Sequence, residues 1–94
     1  MKDILIDGHR LLTTDAIADA VLDYASLLQR DGRTDVVDFP SIHDGELSRC
    51  SLLLGTCGAV AVVEAGGLPS SSLPEADRAI AEIARRADRL RESR

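Results

Sequence analysis

DVVDFPSIHDGELSRCSLLL, residues 35–54, decides how this chain folds. Apolar residues crowd both flanks of Asp44-Gly45, a dipeptide that accepts the positive φ angles of a two-residue turn. Residues 35–42 and 46–54 therefore read as two antiparallel strands. The turn sets the register: His43 faces Glu46, Phe39 faces Cys50 and Val37 faces Leu52. Pro40 falls opposite Arg49 at a non-hydrogen-bonded position, so its missing N–H points away from that partner. This places the first strand at an edge or a bulge.

The following residues extend the pattern. Residues 59–64 read as a further strand, and a turn through Gly55-Thr56-Cys57-Gly58 would fold it back on 47–54. That hairpin pairs Leu52 with Ala61 and Cys50 with Val63. Side chains alternate across a strand, so one face of the meander carries Val37, Phe39, Cys50, Leu52, Leu54, Ala59, Ala61 and Val63. The other carries Val36, Ile42, Leu47, Leu53, Val60 and Val62. Both faces are apolar, whereas a sheet with one wet face alternates apolar and polar residues. Two arrangements cover both sides. The helices lie on opposite faces, or both lie on one face and the other packs on a second copy or another protein. A face this size offers on the order of several hundred Å² of apolar area, enough to mark a binding surface.

Upstream, Ile4-Leu5-Ile6 and Leu11-Leu12 flank Asp7-Gly8, a second tight hairpin over residues 3–12. Residues 15–30 read as a helix: Ile17, Val21, Tyr24, Ala25 and Leu28 form one stripe. Thr14 supplies its N-cap, and Gly32 follows its last turn. Downstream, Gly66-Gly67-Leu68-Pro69-Ser70-Ser71-Ser72 lies in a flexible linker, taken as 65–72. A second helix follows over 73–92, with Ser72 and Glu75 as a capping box. Its stripe is Ala76, Ile80, Ile83, Ala87 and Leu90, and Arg78–Glu82 and Glu82–Arg86 are solvent-face pairs. The expected fold is a single α+β domain over 1–94, in the order β-β-α-β-β-β-α, with a small, mainly antiparallel sheet packed with two helices.

Composition narrows the function. The 94 residues suffice for one domain. Tyr24 and Phe39 are the aromatic residues, which removes the usual material for stacking bases. Net charge is −5; residues 1–74 carry 5 basic and 11 acidic side chains, residues 75–94 carry 6 and 5. The acidic body disfavours nucleic acid. MKDILIDG does not read as a signal peptide, and no apolar run is long enough to span a membrane. Cys50 and Cys57 are expected as reduced thiols of a cytoplasmic protein. Ten arginines against one lysine fit a GC-rich bacterial coding bias.

No chemistry-bearing constellation emerges. Cys57 sits in a small-residue turn without a cation or helix N-terminus to activate it. His9, His43, Cys50 and Cys57 lack the tight spacing of a zinc site. Asp15, Asp19 and Asp23 form a like-charged row at i,i+4, and Arg85, Arg86, Arg89, Arg91 and Arg94 crowd the last helix. Each reads first as a solvated face. No catalytic residue, metal or cofactor is expected. The leading reading is a non-enzymatic interaction or dimerisation module, with Val36, Leu53, Val60, Val62, Ile80 and Ile83 as contact residues. Its alternative is a small-molecule or metal-binding protein using the Cys/His or Asp side chains.

Overall fold

In the first turn, Asp7 and Gly8 take φ angles of 47° and 80°. The turn joins β1 (Lys2–Ile6) to β2 (His9–Thr13), antiparallel from Ile6–His9 to Lys2–Thr13. The computed structural model describes residues 1–43, 45–55, 60–64 and 73–92. Helix α1 (Asp15–Asp31) starts at Thr14, whose Oγ1 accepts the Ile17 N–H at 3.2 Å. It stops at Gly32, where the N–H groups of Gly32 and Arg33 close onto the Gln29 and Leu28 carbonyls.

Strands β3 (Asp35–His43) and β4 (Glu46–Leu54) pair without interruption from Asp35–Leu54 to His43–Glu46, in the register the turn imposes. Strand β5 (Val60–Glu64) and helix α2 (Ala76–Glu92) complete the described elements. The fold is α+β, in the expected order. The sheet runs β4-β3-β2-β1-β5, with every neighbouring pair antiparallel.

Two expectations are corrected. Strand β5 does not return on β4; it pairs with β1, Ile4 facing Val62 and Ile6 facing Val60. Buried Ile4 thereby gains apolar neighbours on both sides, Leu11 and Val62. The change turns β5 over relative to the hairpin reading. Val60 and Val62 join Val37 and Phe39 on the helix-covered face, and Ala61 and Val63 join Val36 and Leu53 on the other. Helix α2 starts at Ala76 rather than residue 73. The Ala76 N–H bonds the Leu73 carbonyl at 3.1 Å, closing a turn with Pro74 and Glu75 at its centre, and Glu75 takes φ 63°. The 55–58 turn, the 65–72 linker and the Ser72 half of the capping box fall wholly or partly outside the described residues.

The sheet opens between its two halves. β2 and β3 share one ladder pair, Leu12–Ile42, and beside it the buried Thr13 hydroxyl donates to the Pro40 carbonyl at 2.8 Å. The rest of that β3 edge is met by α2, whose Arg86 Nη1 donates to the Val36 carbonyl at 2.9 Å. Pro40 thus sits at an edge sealed by a hydroxyl and a helix.

Both helices bury their stripes on one face. Ile17, Val21 and Leu28 of α1 and Ile83 of α2 pack with Ile4, Val37, Phe39 and Leu54. Burying each such side chain contributes about 1.5–3 kcal/mol relative to leaving it in water. Gly55, directly after β4, is fixed by close approach: a Cβ there would lie 2.0 Å from the Arg33 carbonyl oxygen.

Candidate functional site

The sheet face away from the helices carries the exposed apolar surface. Four of its side chains stand about half exposed: Leu47 at 55%, Leu53 at 50%, and Val36 and Val63 at 48% each. Three of them belong to the β3–β4 hairpin, where they form cross-strand pairs: Val36 with Leu53 at one end, Ile42 with Leu47 at the other. Leu12 extends the second pair onto β2. Between the two ends lie polar pairs, Asp38 with Ser51, whose hydroxyl donates to the carboxylate, and Pro40 with Arg49. The surface is therefore two apolar patches around a polar centre.

The expected contact residues divide. Val36 and Leu53 lie together on this open face. Val60 and Val62 lie on the opposite face, partly buried against the core. Ile80 is likewise partly buried against the core, and Ile83, 2% exposed, is part of it. Leu47, the most exposed of the set, follows the same alternation as Leu53 and lies with it on the open face.

A polar cluster joins α1, β3 and α2. The buried Tyr24 hydroxyl donates to Asp35 Oδ2 at 2.7 Å, and Arg86 Nη1 donates to the same oxygen at 3.0 Å. Arg86 Nε also bonds Glu82 at 2.9 Å, and Glu82 accepts from Arg85 at 2.6 Å. Burial works to raise the Asp35 pKa, yet hydrogen bonds from Tyr24 and the Val36 N–H and the Arg86 charge bring it below the ordinary value. Tyr24 is pushed up to about 12 by burial and by the neighbouring carboxylate. Hydrogen bonds from Arg85 and Arg86 hold Glu82 down at about 2. Arg86 is raised in turn by the Glu82 hydrogen bond. A cleft of about 120 Å³ runs beside this cluster between α2 and the β3 edge. Its polar lining, Asp38, Arg49, Glu75, Arg78, Glu82 and Arg86, contains no nucleophilic thiol, hydroxyl or imidazole. The cluster locks α2 across the open strand edge.

The remaining candidates resolve into ion pairs. Asp15 meets the Met1 amine at 3.0 Å, Asp19 meets Lys2 at 2.9 Å, and Asp23 meets Arg91. The aspartate row is thus neutralised from Met1, β1 and α2, which offsets its internal repulsion. Within the arginine cluster, Arg85, Arg86 and Arg91 are paired to carboxylates. Arg78 bridges to Glu75 at 3.8 Å instead of Glu82. Cys50 faces the core half-buried, and burial raises its thiol pKa, the opposite of activation. His9 and His43 are exposed on strand ends, and Cys57 lies outside the described residues. Among the described residues, no three His, Cys, Asp or Glu side chains group as metal ligands, and no helix is long and apolar enough to cross a membrane. No family model, curated protein or solved structure matches this chain.

Proposed function

We propose that this chain is a non-enzymatic interaction module that self-associates through its β3–β4 hairpin. One observation carries the reading: both helices pack on the same face, leaving the Val36–Leu53 and Ile42–Leu47 pairs on the other. Apolar surface of this kind gains about 25 cal/mol per Å² when removed from water. Nothing among the described residues favours the small-molecule or metal reading over this one.

The test compares Leu53→Lys with Leu22→Lys by sedimentation equilibrium. Leu22 is a 40% exposed control on α1, away from the open face. Leu53→Lys is expected to weaken self-association at least roughly 10-fold, a cost of about 1.4 kcal/mol. Leu22→Lys is expected to leave it unchanged. Equal effects from both variants would remove the open face from the contact.

A further inference from the structure

We infer that the partner is a second copy of this chain joined edge to edge, β4 against β4, in an antiparallel register centred on Cys50. The inference rests on the self-association proposed above and specifies its geometry.

Among the described residues, β4 is an outermost strand, nine residues long and paired to β3 at every one of them. Exposed edges are normally blunted by a proline, a lysine, a bulge or a covering element. The open edge of β3 follows that rule: it has Pro40 and is met by Thr13 and α2. The β4 sequence, Glu46-Leu47-Ser48-Arg49-Cys50-Ser51-Leu52-Leu53-Leu54, has no proline, its ladder to β3 has no bulge, and its charged residues are Glu46 at its start and Arg49. Strand β5, at the other end of the sheet, is only five residues long.

The backbone selects the register. The Val36 and Pro40 carbonyls reach Arg86 and Thr13, so they point away from β4. Their ladder partners, Leu53 and Arg49, occupy the same non-hydrogen-bonded positions and point away from β3. By the period of two, Leu47, Arg49, Ser51 and Leu53 all present their N–H and C=O groups to the open edge. Two antiparallel copies can bond only if these residues face one another. Centring on Arg49 sets Arg49 against its own copy, like charge on like charge. Centring on Ser51 sets Leu47 against Gly55 and leaves it without an apolar partner. Centring on Cys50 uses all nine residues, opposes Leu47 with Leu53 of the second copy, and opposes Arg49 with Ser51. The two exposed leucines of β4 then meet as cross-strand neighbours, and the sheets merge into one.

At the centre, Cys50 opposes Cys50 of the second copy in a non-hydrogen-bonded pair, where Cα atoms lie roughly 4.5 Å apart, within disulfide reach. This gives the experiment. The full chain with Cys57→Ser is treated with copper–phenanthroline as oxidant, which takes two electrons as the two Cys50 thiols lose their protons and join. The products are read by non-reducing electrophoresis and mass spectrometry, alongside the solution mass before oxidation. A dimer that converts to a Cys50–Cys50 species is the expected result. A dimer whose Cys50 stays unlinked overturns the strand pairing while leaving self-association in place, and a monomer overturns both. A second variant, Ser51→Pro, removes an edge-facing N–H without touching the ladder to β3. It is expected to raise the dimer dissociation constant at least roughly 10-fold with the helical circular dichroism retained. An unchanged constant would overturn the inference.

Discussion

The Tyr24 hydroxyl and the Asp35 carboxylate meet at 2.7 Å, and this contact ties the middle of α1 to the first residue of β3. Arg86 of α2 donates to the same carboxylate oxygen. Side chains 11 and 51 residues away from Asp35 therefore converge on one of its oxygens, at the place where the sheet lacks a ladder. Tyr24 is 4% exposed, so its hydroxyl needs that partner. Tyr24→Phe keeps the ring in the core and deletes one donor to a charged acceptor. It is expected to lower unfolding stability by about 1–2 kcal/mol, read as a shift in urea midpoint at unchanged slope.

The same cluster sets the pH response. Asp35 and Glu82 have folded pKa values below their unfolded ones, Glu82 at about 2. The Glu82 contribution is lost as pH falls from about 4.5 toward 2, and the Asp35 contribution is likewise lost on acidification. Tyr24 behaves oppositely, since its folded pKa is raised from 10.0 to about 12. Its contribution is present below pH 10 and is lost as pH rises to about 12. Thermal unfolding across pH is expected to fall at both extremes, and Tyr24→Phe is expected to flatten the alkaline limb and, by removing a hydrogen bond that lowers the Asp35 pKa, to make the acid limb shallower. An unaltered alkaline limb would show that Tyr24 does not titrate with folding.

Two backbone positions predict effects of opposite sign. Gly55 has φ 94° and leaves no space for a Cβ beside Arg33. Gly55→Ala is expected to destabilise by at least about 2 kcal/mol, from strain and overlap together. Glu75 holds φ 63° without being glycine, at the turn before α2. Its side chain pairs with Arg49 and Arg78, all three exposed, so those contacts contribute little. Glu75→Gly is expected to stabilise by up to about 1 kcal/mol. Chemical denaturation of both variants checks the pair.

Ile83 and Leu53 separate core from contact surface. Ile83→Ala is expected to cost about 2–4 kcal/mol, because it opens a cavity between α2 and the core. Leu53→Ala, at a half-exposed position, is expected to leave monomer stability within about 0.5 kcal/mol and to act on association. The same loss of stability in both would place Leu53 in the core.

Much of this fold was legible because turns and caps are local. Asp7-Gly8, Gly45, Thr14 and Gly32 fix their elements through their own backbone preferences, and the β3–β4 register is the one a two-residue turn imposes. The partner of β5 was not legible. Its Val60-Ala61-Val62-Val63 run suits either face and either neighbour, and a short connection from β4 favours a hairpin by chain entropy. The need of Ile4 for an apolar neighbour on its second side decides otherwise, a tertiary demand that no local residue announces. That single exchange moved Val60 and Val62 off the open face. The roles of Asp19, Asp23 and Arg86 were hidden for the same reason, since their partners lie 17, 68 and 51 residues away.

Self-association is most directly tested by the solution mass of the unmodified full chain, measured by light scattering after gel filtration across a wide concentration range. A mass twice the 10.1 kDa of one chain, persisting on dilution to the micromolar range, is the predicted result. A mass of 10.1 kDa at every concentration would contradict self-association and with it the paired β4 edge.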